Sequence, residues 1–214
     1  MTFTEEQACI PLPLKESCFS QSVVLPFGLQ VEHVKSAMAE FLDFLGFINS
    51  QLYLRQTPRL ETMLMSANFS SIVSEYMSAT IPKYCPSLTK NRYHNGHPDL
   101  IPTGVFPNNA VQYSNQGVEI KASRYSSGWQ GHNPEHVWLM VFVFDSDSAN
   151  NIKPKPFSFV KVVGAQLEKE DWKFSGRSAQ SRRTITASVT KSGYQKMSTN
   201  WIYNASIRKQ IDES

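Results

Sequence analysis

Residues 97–123 read HPDLIPTGVFPNNAVQYSNQGVEIKAS, and their pattern sets the expected fold. Two largely apolar stretches, 100–106 and 117–122, flank the turn-rich PNNAVQYSNQ, so the segment is expected to form two short strands. Side chains on a strand alternate between its faces. Glu119 and Lys121 therefore share one face, while Val118 and Ile120 offer apolar surface to a core. With Asp99 on the adjoining strand of a hairpin, two carboxylates and an ammonium meet at one point.

That trio suits a particular chemistry. Carboxylate oxygens are hard ligands for Mg²⁺, which keeps several waters and bridges phosphate oxygens. Such a metal neutralises charge growing on a phosphate under attack and lowers the pKa of the attacking water. Lys121 is expected to hold or polarise that water and to offset the phosphorane charge. An acid-x-lysine triplet alone is a weak motif. A second one, Asp171-Trp172-Lys173, lacks a Pro-Asp at hairpin distance and the apolar strand flank of the first.

Outward from this segment the period changes. A polar, glycine-bearing loop (SRYSSGWQGHNPE, 123–135) leads to 136–144, whose apolar run predicts a buried strand. Upstream, Val31, Val34, Met38, Phe41, Leu42, Leu45, Ile48 and Leu52 recur at helical spacing, with Gly46 as a break point. A second helix is expected from Thr57-Pro58, fading before Pro82. Residues 1–30 read as an irregular surface arm. Beyond the connector SDSANNIKPKP, 157–163 and RRTITASVT (182–190) are strand-like, and 194–207 suits a closing helix. Helices followed by a block of strands point to an α/β or α+β sheet with helical cover, within one domain spanning 1–214.

The chain has 214 residues, a formal charge of +3 and three widely spaced cysteines, too few for a disulfide scaffold. The acidic, proline-broken N-terminus has no signal-peptide pattern. The longest apolar run, 137–144, is too short to span a bilayer, so a cytoplasmic protein without membrane association is expected.

Pro98-Asp99 followed by Glu119-Ile120-Lys121 resembles the PD-(D/E)XK nuclease superfamily, the fold of most type II restriction endonucleases and many repair nucleases. The resemblance covers roughly residues 57–145. It implies a restriction-endonuclease-like central mixed sheet flanked by helices. It also implies Mg²⁺ held by Asp99, Glu119 and the main-chain carbonyl of Ile120, with Lys121 catalytic. Many members add a glutamate from the preceding helix, a role that fits Glu61 better than Glu75. The implied activity is Mg²⁺-dependent hydrolysis of DNA, in its narrowest form site-specific cutting of double-stranded DNA. A repair or recombination nuclease, or a non-catalytic DNA-binding or assembly protein on the same fold, are the alternatives.

Basic residues give the expected DNA contacts. Arg124 follows the triplet directly and is placed for a neighbouring phosphate. Arg177, Arg182 and Arg183 lie among serines and threonines, a mixture suited to phosphates and guanine edges, and Lys191 extends it. The DNA-contacting part is thus expected within 157–214, and recognition of a palindrome would make a homodimer economical. A rival pattern, His94-x-x-His97 with His132-x-x-x-His136, could bind Zn²⁺ with Cys85 or Asp99. Trp129, in a glycine-flanked loop, is a further candidate for contact with nucleic acid.

Overall fold

A computed structural model describes residues 2–131, 136–149, 153–175 and 186–206. Within them lie five α-helices: α1 Glu5–Ala8, α2 Val31–Tyr53, α3 Leu60–Met63, α4 Ser66–Tyr84 and α5 Lys191–Thr199. The strands are β1 Leu88–Lys90, β2 Leu100–Pro102, β3 Val118–Ser123, β4 Gln130–Gly131, β5 Val137–Asp145, β6 Ser158–Leu167, β7 Trp172–Ser175, β8 Thr186–Val189 and β9 Trp201–Asn204. Six of them form a mixed sheet in the order β1-β2-β3-β5-β6-β9. Only β3 and β5 pair in parallel; the other neighbours are antiparallel. Strands β4, β8 and β7 form a second, antiparallel sheet. The architecture is mixed α/β.

Strand β5 explains the layering. Its sequence VWLMVFVF is apolar on both faces, as a central strand requires. Trp138, Met140, Phe142 and Phe144 pack with residues of α2 and α4, including Phe41 and Phe69. Leu139, Val141 and Val143 join Trp129, Trp172, Ala187, Val189 and Met197 beneath the small sheet and α5. Ile120 on β3 belongs to the helical side, so Glu119 and Lys121 project from the opposite face, the one that bears the small sheet. No helix among the described residues is long and apolar enough to cross a membrane.

Several elements depart from the sequence expectation. Helix α2 runs unbroken through Gly46, where the missing side chain admits Pro11; a Cβ there would lie 3.2 Å from the proline Cδ. The second helix splits into α3 and α4 at an extended Leu64–Met65, and α4 carries Pro82 in its last turn. Residues 1–30 are not merely a surface arm: Cys18, Phe19, Leu25 and Leu29 are core residues. The expected closing helix over 194–207 is instead α5 followed by β9, which pairs with β6. Burial of Ile202 and Tyr203 against the sheet settles the strand there.

Candidate active site

The carboxylates meet because of how β2 and β3 approach. Leu100 is the register partner of Val118, so the next rung of this antiparallel pair sets Asp99 opposite Glu119. Gly117 permits that approach. Its φ is 149°, and a Cβ would stand 2.1 Å from the Leu100 carbonyl oxygen and 2.5 Å from Pro98. Asn91 secures the other side of the seam. Its buried amide donates to the carbonyls of Pro98 at 3.1 Å and Val111 at 2.8 Å, and its oxygen accepts from the N–H groups of Tyr93 and Val111. The His97-Pro98-Asp99 segment is thereby fixed.

Asp99 Oδ2 accepts the Ile120 N–H at 2.8 Å. Glu119 is bonded at both oxygens: Lys121 Nζ donates to Oε1 at 2.8 Å, and His97 Nδ1 lies 2.9 Å from Oε2. The two acids respond in opposite directions. Burial, and then the neighbouring Glu119 charge, push Asp99 up to about 7. Burial also opposes ionisation of Glu119, but the His97 hydrogen bond and the Lys121 charge outweigh it and hold Glu119 well below the usual carboxylate range. Glu119 is therefore the acid that ionises first, and Asp99 gains its charge only near neutrality.

Glu61 does not join them. It is buried on α3, with Oε1 taking Arg59 Nη1 at 2.7 Å and Oε2 taking Asn49 Nδ2 at 2.9 Å. Arg59 also binds Glu5 at 2.9 Å and Asp147 at 2.6 Å, and its burial accounts for the pairing, since an isolated buried guanidinium is costly. Glu61 thus acts as a structural acid. The helix carboxylate that does act on Asp99 is Glu75 of α4, which adds to the upward shift and pairs with Lys90 at 2.6 Å. A cavity of about 830 Å³ lies over Arg59 and Asp147. The guanidinium at its base already has acceptors for Nε and both Nη groups, so the cavity is not the reactive site.

Arg124 is likewise committed to the fold. Its guanidinium donates to the Ser66 hydroxyl at the start of α4, to the Ser146 carbonyl, and to the Asp147 carbonyl at 2.7 Å. These bonds tie the end of β3 to the turn after β5, so a phosphate contact by Arg124 would have to share or displace them. Lys191 is exposed in the first turn of α5. Arg177, Arg182 and Arg183 fall outside the described residues, as does His132. Trp129 is 4% exposed and belongs to the second core, where its indole N–H donates to the Tyr125 carbonyl at 2.9 Å. Asp171, of the second triplet, is buried and bound by Lys196 at 2.6 Å.

Among the described residues no three His, Cys, Asp or Glu side chains stand together as a ready ligand set for a metal. His136 pairs with Glu168, and Cys85 is buried beside Ser87, so neither joins His97 in a zinc cluster. The partnership of His97 with Glu119 is the feature least evident in the sequence; adjacency to Pro98-Asp99 is its only signal. The chain matches no protein-family model, no curated protein and no solved structure.

Proposed function

We propose that the chain is a Mg²⁺-dependent endodeoxyribonuclease, in its narrower form a restriction-type enzyme cutting double-stranded DNA at a defined site. The observation that carries this is the facing pair Asp99 and Glu119, with ionisation driven apart and Lys121 bonded to one of them. Burial and then the Glu119 charge favour the protonated form of Asp99, and a divalent cation would offset both, so the two carboxylates suit a hard metal. Glu119 Oε1 is steered by Lys121, leaving Oε2 to exchange its His97 contact for the cation. The Ile120 carbonyl also suits the role. N–H and C=O of one strand residue point to the same edge, and the Ile120 N–H is directed to Asp99. Its carbonyl therefore faces Pro98, which has no N–H to complete the ladder.

When bound, Mg²⁺ would stabilise charge on the scissile phosphate and make water a better nucleophile. The residues of the chain supply the rest. Asp99, Glu119 and the Ile120 carbonyl would hold the ion, Lys121 would place a positive charge beside the phosphate and orient the water, and the β2–β3 seam would keep these groups fixed. Incubation of the protein with long DNA of varied sequence and Mg²⁺ tests the proposal. Discrete fragments are expected of a site-specific enzyme and a smear of a nonspecific one. Intact DNA with both Mg²⁺ and Mn²⁺ would overturn the nuclease in favour of a binding protein.

A pH dependence follows from Asp99. Metal binding needs its carboxylate, so below about pH 7 each ion bound must expel a proton. Mg²⁺ affinity is expected to fall about ten-fold from pH 8 to pH 6, measurable by calorimetry in buffers of differing ionisation enthalpy. Metal-free stability should run the other way. Native Asp99 holds its proton up to about pH 7, whereas the unfolded residue releases it near the ordinary aspartate value, so lowering the pH from 7 towards 4 adds stability. Affinity independent of pH across this range would contradict the assignment of Asp99.

A further inference from the structure

A pocket of about 300 Å³ begins at Lys121 and continues along β3 past Ala122 and Ser123 to Tyr125, Gly128, Trp129 and Gln130. It is at the small end of the range for sites that enclose an organic ligand. Among the described residues, its lining is neutral apart from Lys121 at one end, with no carboxylate or guanidinium. A second phosphate or a metal would find no charge complement deeper inside. A flat, uncharged heteroaromatic group would find aromatic surface, a serine and a glutamine amide.

The wall is built to present a ring. The Tyr125 N–H donates to Ser123 Oγ at 3.0 Å, and its carbonyl accepts the Trp129 indole N–H at 2.9 Å. Trp129 is anchored in the second core, with its ring centroid 5.6 Å from that of Tyr194. The backbone of Tyr125 is therefore held from both sides, yet the residue is 77% exposed. Gly128, at φ +73°, leaves open space where a side chain would begin. Across the site, Tyr113 stacks on His97 and is 61% exposed, so aromatic surface flanks the carboxylates from a second loop.

We infer that this pocket receives one nucleobase, taken out of the helical stack, from a nucleotide next to the bond that is cut. The inference rests on the nuclease proposed above. A base inside a duplex presents only its edges, and reaching the pocket means unstacking it, at a cost that is least for a strand already single. Stacking on an aromatic side chain is tolerant of sequence and offsets part of that cost. Tyr125 is the residue that would contact the base, and Lys121 would remain with the phosphate.

The test separates contact from cleavage. Single-stranded and duplex oligonucleotides carrying 5-iodouracil in place of thymine are irradiated with the full chain in Ca²⁺, and the crosslinked peptide is mapped by mass spectrometry. Crosslinks at Tyr125 or Trp129, stronger for the single strand, are expected. In Mg²⁺, Tyr125→Ala should slow cleavage of duplex DNA about ten-fold or more, and Tyr125→Phe should restore it. Crosslinks elsewhere, or wild-type cleavage by folded Tyr125→Ala, overturn the pocket assignment. Crosslinking at Tyr125 by a protein that cuts no DNA supports the pocket and overturns the nuclease.

Discussion

Asp99→Asn and Lys121→Ala are each expected to reduce Mg²⁺-dependent DNA cleavage by about a hundred- to a thousand-fold or more, with the fold intact. For Asp99 the two effects can be separated cleanly. Burial and Glu119 already favour its uncharged form, so a neutral asparagine of the same shape suits the metal-free protein. Its amide oxygen can still accept the Ile120 N–H that Asp99 accepts at 2.8 Å. The variant should unfold no earlier than the parent near pH 7, yet bind Mg²⁺ poorly. Lys121→Ala leaves Glu119 its His97 partner at 2.9 Å, so the acid remains compensated while the cation beside the phosphate is lost. Cleavage rates read alongside thermal unfolding decide the matter; wild-type rates in both variants would remove these residues from the active site.

The largest effect on stability is expected at Arg59. The residue is 2% exposed and its guanidinium bonds Glu5, Glu61 and Asp147, so Arg59→Ala removes the cationic partner of two buried carboxylates. Removing one partner of a buried ionic group typically costs about 3–5 kcal/mol, and a similar loss is expected in denaturant unfolding. Glu61→Gln should cost less, because an amide keeps the shape and one acceptor for Arg59. The same variant discriminates between two roles for Glu61. As part of this network it lowers the unfolding temperature and leaves the rate per folded molecule unchanged. Abolished cleavage at unchanged stability would return Glu61 to the reactive centre.

What was legible in the sequence follows from how local the deciding physics is. The alternation in VEIKAS and the unbroken apolar run of β5 report directly on strands with one or two buried faces, and both strands lie where those patterns place them. Helix α2 is equally plain, because its buried residues repeat every three or four positions. Strand β7, with the sequence WKFS, and two-residue β4 carry too little pattern to read and depend on pairing with β8. For β9, the aromatic and apolar spacing of WIYN also suits a helix, and only the free edge of β6 selects a strand.

Side-chain roles were less legible for a related reason. Asp99, Glu119 and Lys121 can be brought together by one hairpin, so short-range geometry suffices. The commitments of Arg59 and Arg124 depend on residues far along the chain: Asp147 is 88 positions from Arg59, and Ser66 is 58 from Arg124. No spacing rule announces such partners. Glu61 and Glu75 lie on successive helices, and only the packing of α4 over the β2–β3 end of the sheet distinguishes the acid near Asp99 from the one tied to Arg59.

The seam that carries the two acids is also the narrowest joint in the main sheet. Strand β2 is three residues long and shares a single register pair with β3, whereas β3 and β5 share six. Beyond that pair, the contact between Asp99 and the Ile120 N–H stands in for a missing backbone rung. The carboxylate is thus a rivet in the metal-free protein, and under the proposed function an ion lodged between Asp99 and Glu119 would fasten the outer strands to the body of the sheet. Loading that metal and tightening this margin of the molecule would then be a single event.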